Sequence, residues 1–309
     1  MYDVVSVGSA VIDYFLKTIP TEIYHHEICF ITGGKVDVSD VDLFVGGTGM
    51  NVATSLSRLG LKTALFSVIG KDDAGKTIKQ KIKEENITFV GKLATQTSMS
   101  IILDAKGQDR TILSYKGEAN NLSPSDVKLP AAKWIYLSSM QGKSFHATKQ
   151  AVLKHPGKLA FNPRVTLIEK EPRGIKELLK KTNILLVNKE EAQSVCFATN
   201  KLESEHLLEV GPELVVVTDG AKGAIVYTKN KTYTIVPRKN IPIVETTGAG
   251  DSFSSAFVGG IIQELPIETA LKMGMANAES VITHYGASNI LLSKTQIKQR
   301  LKHYNVVTR

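Results

Sequence analysis

Residues Glu245 to Phe257 read ETTGAGDSFSSAF and pass from a small-residue loop into a helical pattern. The apolar IPIV before them predicts a strand, so the whole stretch predicts a strand–loop–helix unit. Gly248, Ala249 and Gly250 bring bare backbone N–H groups to a helix start, where these donors and the helix dipole favour negative charge. Asp251 follows in the first turn, where a carboxylate can accept a proton from an attacking hydroxyl. A glycine turn with Asp251 as helix cap would need the same residues, so both interpretations stay open.

Upstream of this stretch, short apolar runs alternate with segments of helical period. The predicted strands are DVVSVGSAV, TALFSVI, WIYLSS, KLAFN, NILLVN, LVVVTD and AIVYT, and the predicted helices include Asn51–Leu59, Ala74–Glu85, Ile175–Lys181 and Glu190–Ala198. This alternation predicts a doubly wound α/β core with a largely parallel sheet. From about Gly250 onward the pattern is almost wholly helical.

Two segments interrupt the alternation. Residues 14–45 contain only β-type fragments such as EICFIT and VDLFV, and residues 97–115, TSMSIILDAKGQDRTILSY, predict a hairpin with AKGQD as its turn. We expect the two segments to form one small sheet attached to the core. Such a sheet, joined through glycines, is a candidate lid.

Composition narrows the function classes. With 42% hydrophobic and 22% charged residues, the 309-residue chain is typical of a soluble globular protein of one or two domains. No window approaches the roughly 18 apolar residues of a membrane span, and the N-terminus has no signal-peptide pattern, so we expect a cytoplasmic protein without a membrane partner. Cys29 and Cys196 are too far apart for a ligand cluster. The net charge of +8 is dispersed and lacks Arg interleaved with aromatics, which disfavours nucleic acid but suits anionic small molecules.

A second glycine-rich stretch, FVGGTGMNVATSLSRLG, spans Phe44 to Gly60. Gly46 and Gly47 could serve as a hinge and let a ligand approach the backbone. Asn51, in the first turn of the helix that follows, could hold ligand hydroxyls. A plain strand–turn–helix would look the same.

A third stretch, GKDDAGKT from Gly70 to Thr77, fits the P-loop pattern G-x-x-x-x-G-K-[ST] and follows an apolar run. Asp72 and Asp73 inside the loop would repel a polyphosphate, although Asp219 at the end of LVVVTD could supply the acidic residue for magnesium. A P-loop NTPase using Lys76 is therefore an alternative to a turn in which an aspartate caps a helix.

Two of these stretches, Phe44–Gly60 and Glu245–Phe257, lie about 200 residues apart. They resemble, in this order, the N-terminal and C-terminal signatures of the ribokinase (PfkB) family of sugar and nucleoside kinases. VVSVGSAVID, VIGKDDAG, VNKEEA, VVVTDGAKGA and ANAESVITHYGAS resemble further family segments, so the resemblance covers nearly the whole chain. It implies a ribokinase-like three-layer α/β/α core with a mostly parallel central sheet, plus a small β-sheet lid. The core would comprise residues 1–13, 46–96 and 116–309, and the lid residues 14–45 and 97–115. In that light, the P-loop match is accidental.

The resemblance also implies a function: MgATP-dependent transfer of the γ-phosphoryl group to a hydroxyl of a sugar or nucleoside. Asp251 would be the general base, and the amides of Gly248, Ala249 and Gly250 would form the anion hole. Predicted substrate-binding residues are Asp13, Gly46, Gly47, Asn51 and Arg164; predicted nucleotide-binding residues are Asn188, Thr218, Gly220, Gly223, Thr247 and Asn277; and Asn188 and Glu191 would act around Mg²⁺.

Three departures from the family pattern leave details open. Glu245 stands where an aspartate linked to a monovalent-cation site is common. The longer side chain alters the reach of the carboxylate, so activation by K⁺ is left open. Thr48 stands where ribokinase-like members often have lysine. FNPRV begins with Phe161 where aspartate is frequent, and the Arg164 that follows could reach a substrate phosphate or carboxylate. The resemblance also makes a homodimer through the lid an expected assembly. Besides the P-loop NTPase, a non-catalytic sensor that binds a sugar or nucleotide is the second alternative function. The sequence does not identify the phosphate acceptor.

Overall fold

The computed structural model describes residues 1–18, 23–24, 27–30, 32–105 and 111–309. The strands in chain order are β1 Tyr2–Val7, β2 Val11–Thr18, β3 Ile23–Tyr24, β4 Glu27–Ile28, β5 Val38–Gly46, β6 Thr63–Phe66, β7 Val68–Gly70, β8 Thr88–Phe89, β9 Lys92–Ala94, β10 Met99–Ala105, β11 Thr111–Tyr115, β12 Ala132–Ser138, β13 Lys158–Asn162, β14 Ile184–Asn188, β15 Leu214–Thr218, β16 Ala224–Tyr227, β17 Thr232–Ile235 and β18 Val306–Thr308. The α-helices are α1 Thr48–Arg58, α2 Asp73–Glu84, α3 Gly142–Lys154, α4 Val165–Lys170, α5 Pro172–Leu179, α6 Lys189–Thr199, α7 Ala249–Ile262, α8 Ile267–Val281 and α9 Lys294–Arg300.

A ten-stranded central sheet runs in the order β18-β17-β16-β15-β14-β13-β12-β1-β6-β8. The strands from β15 to β8 pair in parallel, and β16, β17 and β18 extend one edge antiparallel. Successive side chains face opposite sides of the sheet, so Val4 and Trp134 join one core while Val5 and Ile135 join the other. Both faces are therefore buried, as the near-continuous apolar strands predict.

Helices cover both faces of this sheet. Apolar side chains of α3, α4, α5 and α6 pack into the core on one face, and those of α1, α7, α8 and α9 pack into the core on the other. The fold is thus the three-layer α/β/α arrangement that the sequence predicts. Among the described residues, no helix is long and apolar enough to cross a membrane.

A second sheet of four strands, in the order β11-β10-β2-β5, stands beside the core and is called the small sheet below. Its β10–β11 hairpin is antiparallel as predicted, while most of the predicted turn AKGQD lies outside the described residues, as does part of the fragment EICFIT. Ile12 of the small sheet packs with Met50 and Ile69 in a third apolar cluster. Ser288 Oγ also donates to Val45 O at 3.2 Å, so the small sheet is bonded to the loop after α8.

Three strand predictions are wrong. TALFSVI is not one strand, because β6 ends at Phe66 and β7 begins at Val68 in a different sheet. DVVSVGSAV is not one strand, because β1 ends at Val7 and β2 begins at Val11 in the other sheet. Gly8 lies in this break and packs so closely on Gly49 of α1 that a Cβ would contact its Cα at 2.9 Å. IPIV is not in a sheet either; its last residue, Val244, instead donates its N–H to Ile282 O at the end of α8.

Candidate active site

A cleft of about 740 Å³ lies along the edge where the parallel strands end, between the core and the small sheet. This is the edge at which open α/β sheets bind ligands. Of the residues predicted from sequence, it brings together Asp13, Gly47, Asn51, Arg164, Asn188, Glu191, Thr218, Thr247, Gly248, Gly250 and Asp251. Gly46, Ala249, Gly220, Gly223 and Asn277 do not line it.

The first turns of α1 and α7 meet in the cleft. Asn51 Nδ2 donates to Asp251 Oδ2 at 3.0 Å, which joins residues 200 positions apart in the chain. Asn51 is 4% exposed, and its Oδ1 has no hydrogen-bond partner among the described residues. A buried acceptor without a donor is costly, so this oxygen is suited to a ligand hydroxyl beside the carboxylate.

The turn before α7 provides backbone donors. Gly248 caps the helix with φ of 82°, and a Cβ there would overlap Ala287, so only glycine fits. Gly250 has open space where a Cβ would be. In the described chain, the N–H groups of Gly248 and Gly250 have no acceptor, whereas the Ala249 N–H donates to Thr246 O at 3.2 Å. The predicted run of three anion-hole amides is therefore reduced to two, because the turn itself occupies the Ala249 donor.

The residues just before this turn are held by local bonds. The Thr247 N–H donates to Glu245 Oε1 at 2.6 Å, and Thr247 Oγ1 is buried without a partner in the described chain. Because Thr247 lines the cleft beside Gly248, its hydroxyl is a further polar group for a ligand.

Asp13 enters the cleft from β2 of the small sheet. Burial raises the pKa of its carboxyl, and the hydrogen bond with Ser100 and the positive charge of Lys116 partly offset that rise. A Cβ at Gly46 would overlap Asp13 Oδ2, so Gly46 makes room for the carboxylate without contacting the cleft itself. Gly47, at φ of 93°, starts α1 and lines the cleft.

Asn188 and Glu191 form a reciprocal cap at the start of α6. The Asn188 N–H donates to Glu191 Oε2, and the Glu191 N–H donates to Asn188 Oδ1, both at 2.8 Å. Burial raises the pKa of Glu191; the Asn188 N–H and the Arg164 charge oppose this, and Asp251 reinforces it. No group of three or more His, Cys, Asp or Glu residues in the described chain could hold a metal alone. The capping box leaves Glu191 Oε1 available, which fits a cation that takes its other ligands from phosphates and water.

Two cations line the cleft near α1. Arg164 Nη2 donates to Thr48 Oγ1 at 2.9 Å. Lys116 follows β11, and burial lowers its pKa, an effect that Arg164 reinforces and Asp13 opposes. Lys116 has no distinguishing signal in the sequence, since it is one of 38 lysines and arginines and follows an ordinary strand pattern.

Asn277 is not a nucleotide contact, contrary to the prediction. Its side chain is 0% exposed, and Nδ2 donates to Ser252 O at 3.0 Å and Ser55 Oγ at 3.2 Å. Its Oδ1 accepts the Leu292 N–H at 2.9 Å. Every polar atom of this amide is thus engaged inside the protein, where it ties α8 to α7, α1 and the segment before α9.

Gly220 and Gly223 belong to a tight turn after β15. Gly223 has φ of 93°, and a Cβ there would overlap Ile235 O of the neighbouring β17. Gly220 has φ of 49° and open space around it. The requirement for glycine at 223 is explained by backbone packing, while Thr218 at the end of β15 reaches the cleft next to Asn188 in register.

GKDDAGKT is a closed turn, and the P-loop alternative is wrong. Asp72 Oδ1 accepts the Gly75 N–H and Oδ2 accepts the Thr97 N–H, both at 2.9 Å, so a carboxylate occupies the space of a phosphate. Lys76 is 74% exposed and pairs with Asp73 at 2.8 Å. The stretch does not line the cleft.

Comparison with known proteins agrees with this geometry. The pfkB family carbohydrate kinase model matches residues 1–294. The chain belongs to this family. Ribokinase of Haemophilus influenzae is 28% identical over 275 residues, which cover 84% of this chain and 87% of that protein.

Solved structures show the same pfkB-family fold. The nucleoside kinase of Methanocaldococcus jannaschii, an archaeal member of the ribokinase family, aligns with a TM-score of 0.84 at 20% identity, covering 98% of this chain and 99% of that one. Ribokinase from Cryptococcus neoformans var. grubii, solved in complex with ADP, aligns with a TM-score of 0.78 at 21% identity, covering 97% and 99%. The predicted fold and the predicted phosphotransferase class, a kinase of sugars or nucleosides, are confirmed.

Proposed function

We propose that this pfkB-family chain transfers the γ-phosphoryl group of ATP to a hydroxyl of a sugar or nucleoside, with Asp251 as the general base. The observation that carries the proposal is the hydrogen bond between Asn51 and Asp251 in the cleft, beside backbone donors without acceptors. The bond supports the proposal because a carboxylate, an amide and backbone donors lie together there, and phosphoryl transfer would use these groups as proton acceptor, hydroxyl binder and anion site.

On the acceptor side, Asp13, Gly47 and Asn51 hold the substrate hydroxyls. The unpartnered Asn51 Oδ1 accepts a hydrogen bond from one substrate hydroxyl. Asp251 takes the proton of the attacking hydroxyl as the hydroxyl oxygen bonds to phosphorus. The bond from phosphorus to the ADP leaving oxygen breaks in the same transfer, so the products are the phosphorylated acceptor and ADP.

On the donor side, the N–H groups of Gly248 and Gly250 and the dipole of α7 stabilise negative charge on the transferring group. Thr218 and Thr247 lie beside the nucleotide. The Cryptococcus ribokinase fold neighbour was solved with ADP, which supports an adenine nucleotide as donor.

Asn188 and Glu191 would hold Mg²⁺ through water and the nucleotide phosphates. When bound, the ion neutralises phosphate charge during transfer. The chain's own contribution is to keep the Glu191 carboxylate fixed by the Asn188 cap and facing the cleft.

We further propose that the segments 14–45 and 97–115 act as a lid over the acceptor, hinged near Gly47.

The small sheet also exposes about half of each of four apolar side chains, those of Val41, Leu43, Ile112 and Leu113. These side chains belong to β5 and β11, the two edge strands of the sheet. An exposed apolar edge strand is typical of an interaction surface, and a second copy of the chain is the proposed partner.

The test is ATP turnover against ribose, fructose, adenosine, cytidine, inositol and ribose 1-phosphate, with ADP release and acceptor phosphorylation both measured. We expect ADP and phosphorylated acceptor in equal amounts for at least one compound. ADP release without any phosphorylated acceptor, or no turnover across the panel, would contradict the proposal.

A further inference from the structure

We infer that the acceptor of this kinase carries an anionic group, a phosphate ester or a carboxylate, which Lys116 and Arg164 bind together. The inference rests on the proposed function and specifies the substrate class of the same site. Its basis is a pair of cations in the cleft, neither of which forms a salt bridge with a described residue.

Arg164 is held in place from two directions. The backbone N–H of Arg164 donates to Ser139 Oγ at 2.6 Å, and the guanidinium Nη2 donates to Thr48 Oγ1 at 2.9 Å. Thr48 and Asn51 are three residues apart and share one face of α1, so the guanidinium contacts the helix about 5 Å from the amide that holds the reacting hydroxyl. That spacing suits two groups on one small sugar.

Lys116 reaches the same region from the small sheet. Ser98 Oγ donates to Lys116 O at 2.9 Å, which fixes the backbone where the side chain enters the cleft. Within the described ranges, neither Lys116 nor Arg164 forms a salt bridge within 4.0 Å. Lys116 is half-buried and Arg164 is exposed to the cleft, so both positive charges are accessible to a ligand that brings negative charge.

The charges around this end favour an anion. Asp13 is the carboxylate that offsets the charge on Lys116, while Arg164 acts in the opposite direction as a like charge. The first turn of α1 contains no acidic residue, so the positive end of its dipole adds to the two cations. A neutral sugar would use Asp13 and Asn51 for its hydroxyls and bring no negative charge to either cation.

The donor phosphates are the competing occupant, because Arg164 is also close enough to Glu191 to lower the pKa of that carboxyl. The two occupants differ in the kinetic constant that depends on the cations. An acceptor anion makes the KM for the acceptor sensitive to Lys116 and Arg164, whereas a donor phosphate makes the KM for ATP sensitive.

The first experiment compares acceptors that differ by one anionic group. Ribose is paired with ribose 5-phosphate, fructose with fructose 6-phosphate, and glucose with gluconate, at saturating MgATP. We expect at least one anionic member to exceed its neutral partner by about tenfold or more in kcat/KM, since charge-assisted bonds are about twice as strong as neutral ones. The phosphate and carboxylate pairs show which anion is preferred.

The second experiment uses Lys116→Gln and Arg164→Gln, with Lys229→Gln and Arg173→Gln as exposed controls outside the cleft. For the preferred anionic acceptor, we expect each cleft variant to raise KM about 10- to 100-fold, with KM for ATP and for the neutral partner changed less than about twofold. Thermal stabilisation by the anionic and neutral compounds without ATP gives a binding readout independent of turnover.

The outcomes separate this inference from the kinase proposal. Efficient phosphorylation of neutral sugars, unaffected by the cleft variants, would overturn the anion inference and leave the kinase function intact. An equal rise in the KM for ATP would also overturn it, by placing the cations at the donor. Absence of all turnover would count against the proposed function, and the binding readout would still decide whether anionic sugars are preferred.

Discussion

Two glycine-rich turns of this chain, Gly70–Thr77 and Glu245–Phe257, both lead into helices, yet only the second lines the cleft. In the first turn, the Asp72 side chain caps α2 and accepts the donors that a phosphate would need. In the second, no side chain caps α7, and Gly248 leaves the helix start open to the cleft. The two turns differ in whether a side chain of the protein itself accepts the backbone N–H groups of the turn. A consensus sequence pattern does not show whether such a side chain is present.

The largest expected difference between the turns is in catalysis. Asp251→Asn removes the proton acceptor but keeps the shape, so we expect kcat to fall about 10²- to 10⁴-fold with ATP binding retained. Asp73→Asn, at a 95% exposed aspartate of the other turn, is the matched control and should leave kcat unchanged. Steady-state kinetics with isothermal titration of ATP measures both; equal activity of the Asp251 variant would remove it as the base.

Next, two glycine substitutions should separate function from stability. Gly250→Ala places a methyl group in open cleft space, so we expect unfolding free energy to change by less than about 1 kcal/mol and kcat/KM to fall about 10²-fold. Gly75→Ala places its Cβ against Gly70 O, so we expect a loss of about 1–3 kcal/mol in stability with kcat of the folded protein unchanged. Denaturant unfolding and steady-state kinetics on both variants test this. A loss of activity in the Gly75 variant, with only a loss of stability in the Gly250 variant, would contradict the proposed roles of the two turns.

A smaller effect should come from Asp72 and depend on pH. Burial alone would raise its pKa, but the bonds from Thr97 and Gly75 outweigh burial and lower it below the ordinary value of 3.8. A lowered folded pKa contributes stability above the unfolded pKa, and that contribution is lost as pH falls through the folded value. Asp72→Ala should therefore cost about 1–3 kcal/mol at pH 7, with the difference from wild type shrinking below about pH 4.

The control for that measurement is Asp37→Ala, an exposed aspartate outside both turns. Chemical denaturation of both variants between pH 3 and pH 7 is the assay. A difference that stays constant over this range would show that the Asp72 charge contributes nothing to the turn.

The smallest effect is expected at Lys76. Its ion pair with Asp73 is exposed, and such pairs contribute about 0–1 kcal/mol. Lys76→Ala should keep full kinase activity and nearly full stability in the same assays. A large loss of activity would restore the first turn as a phosphate site.

Much of the fold could be predicted because the parallel strands are apolar on both faces and the helices between them are amphipathic. The break between β1 and β2 could not be predicted from the sequence, because it depends on the contact of Gly8 with Gly49, a residue 41 positions away. The strand prediction for IPIV was wrong because it also depends on a distant contact. The backbone partner of its last residue, Ile282, lies at the end of a helix and not on a strand.

The candidate site was predictable where a backbone feature and a reactive side chain occur together, as at Gly248 with Asp251 and at Gly47 with Asn51. Lys116 was not, because an isolated lysine after a strand has no distinguishing neighbours. Asn277 was predicted wrongly, because sequence shows that an amide lies on a helix but not which face of the helix meets the core.

The buried Asn277 amide has a consequence for the chemistry. By bonding to Ser252 of α7 and Ser55 of α1, it fixes the two helices whose first turns carry Asp251 and Asn51. The proposed proton acceptor, Asp251, and the proposed hydroxyl-binding group, Asn51, are therefore positioned by the core itself. Little reorganisation energy remains for the reaction itself, which is how a rigid scaffold lowers a barrier.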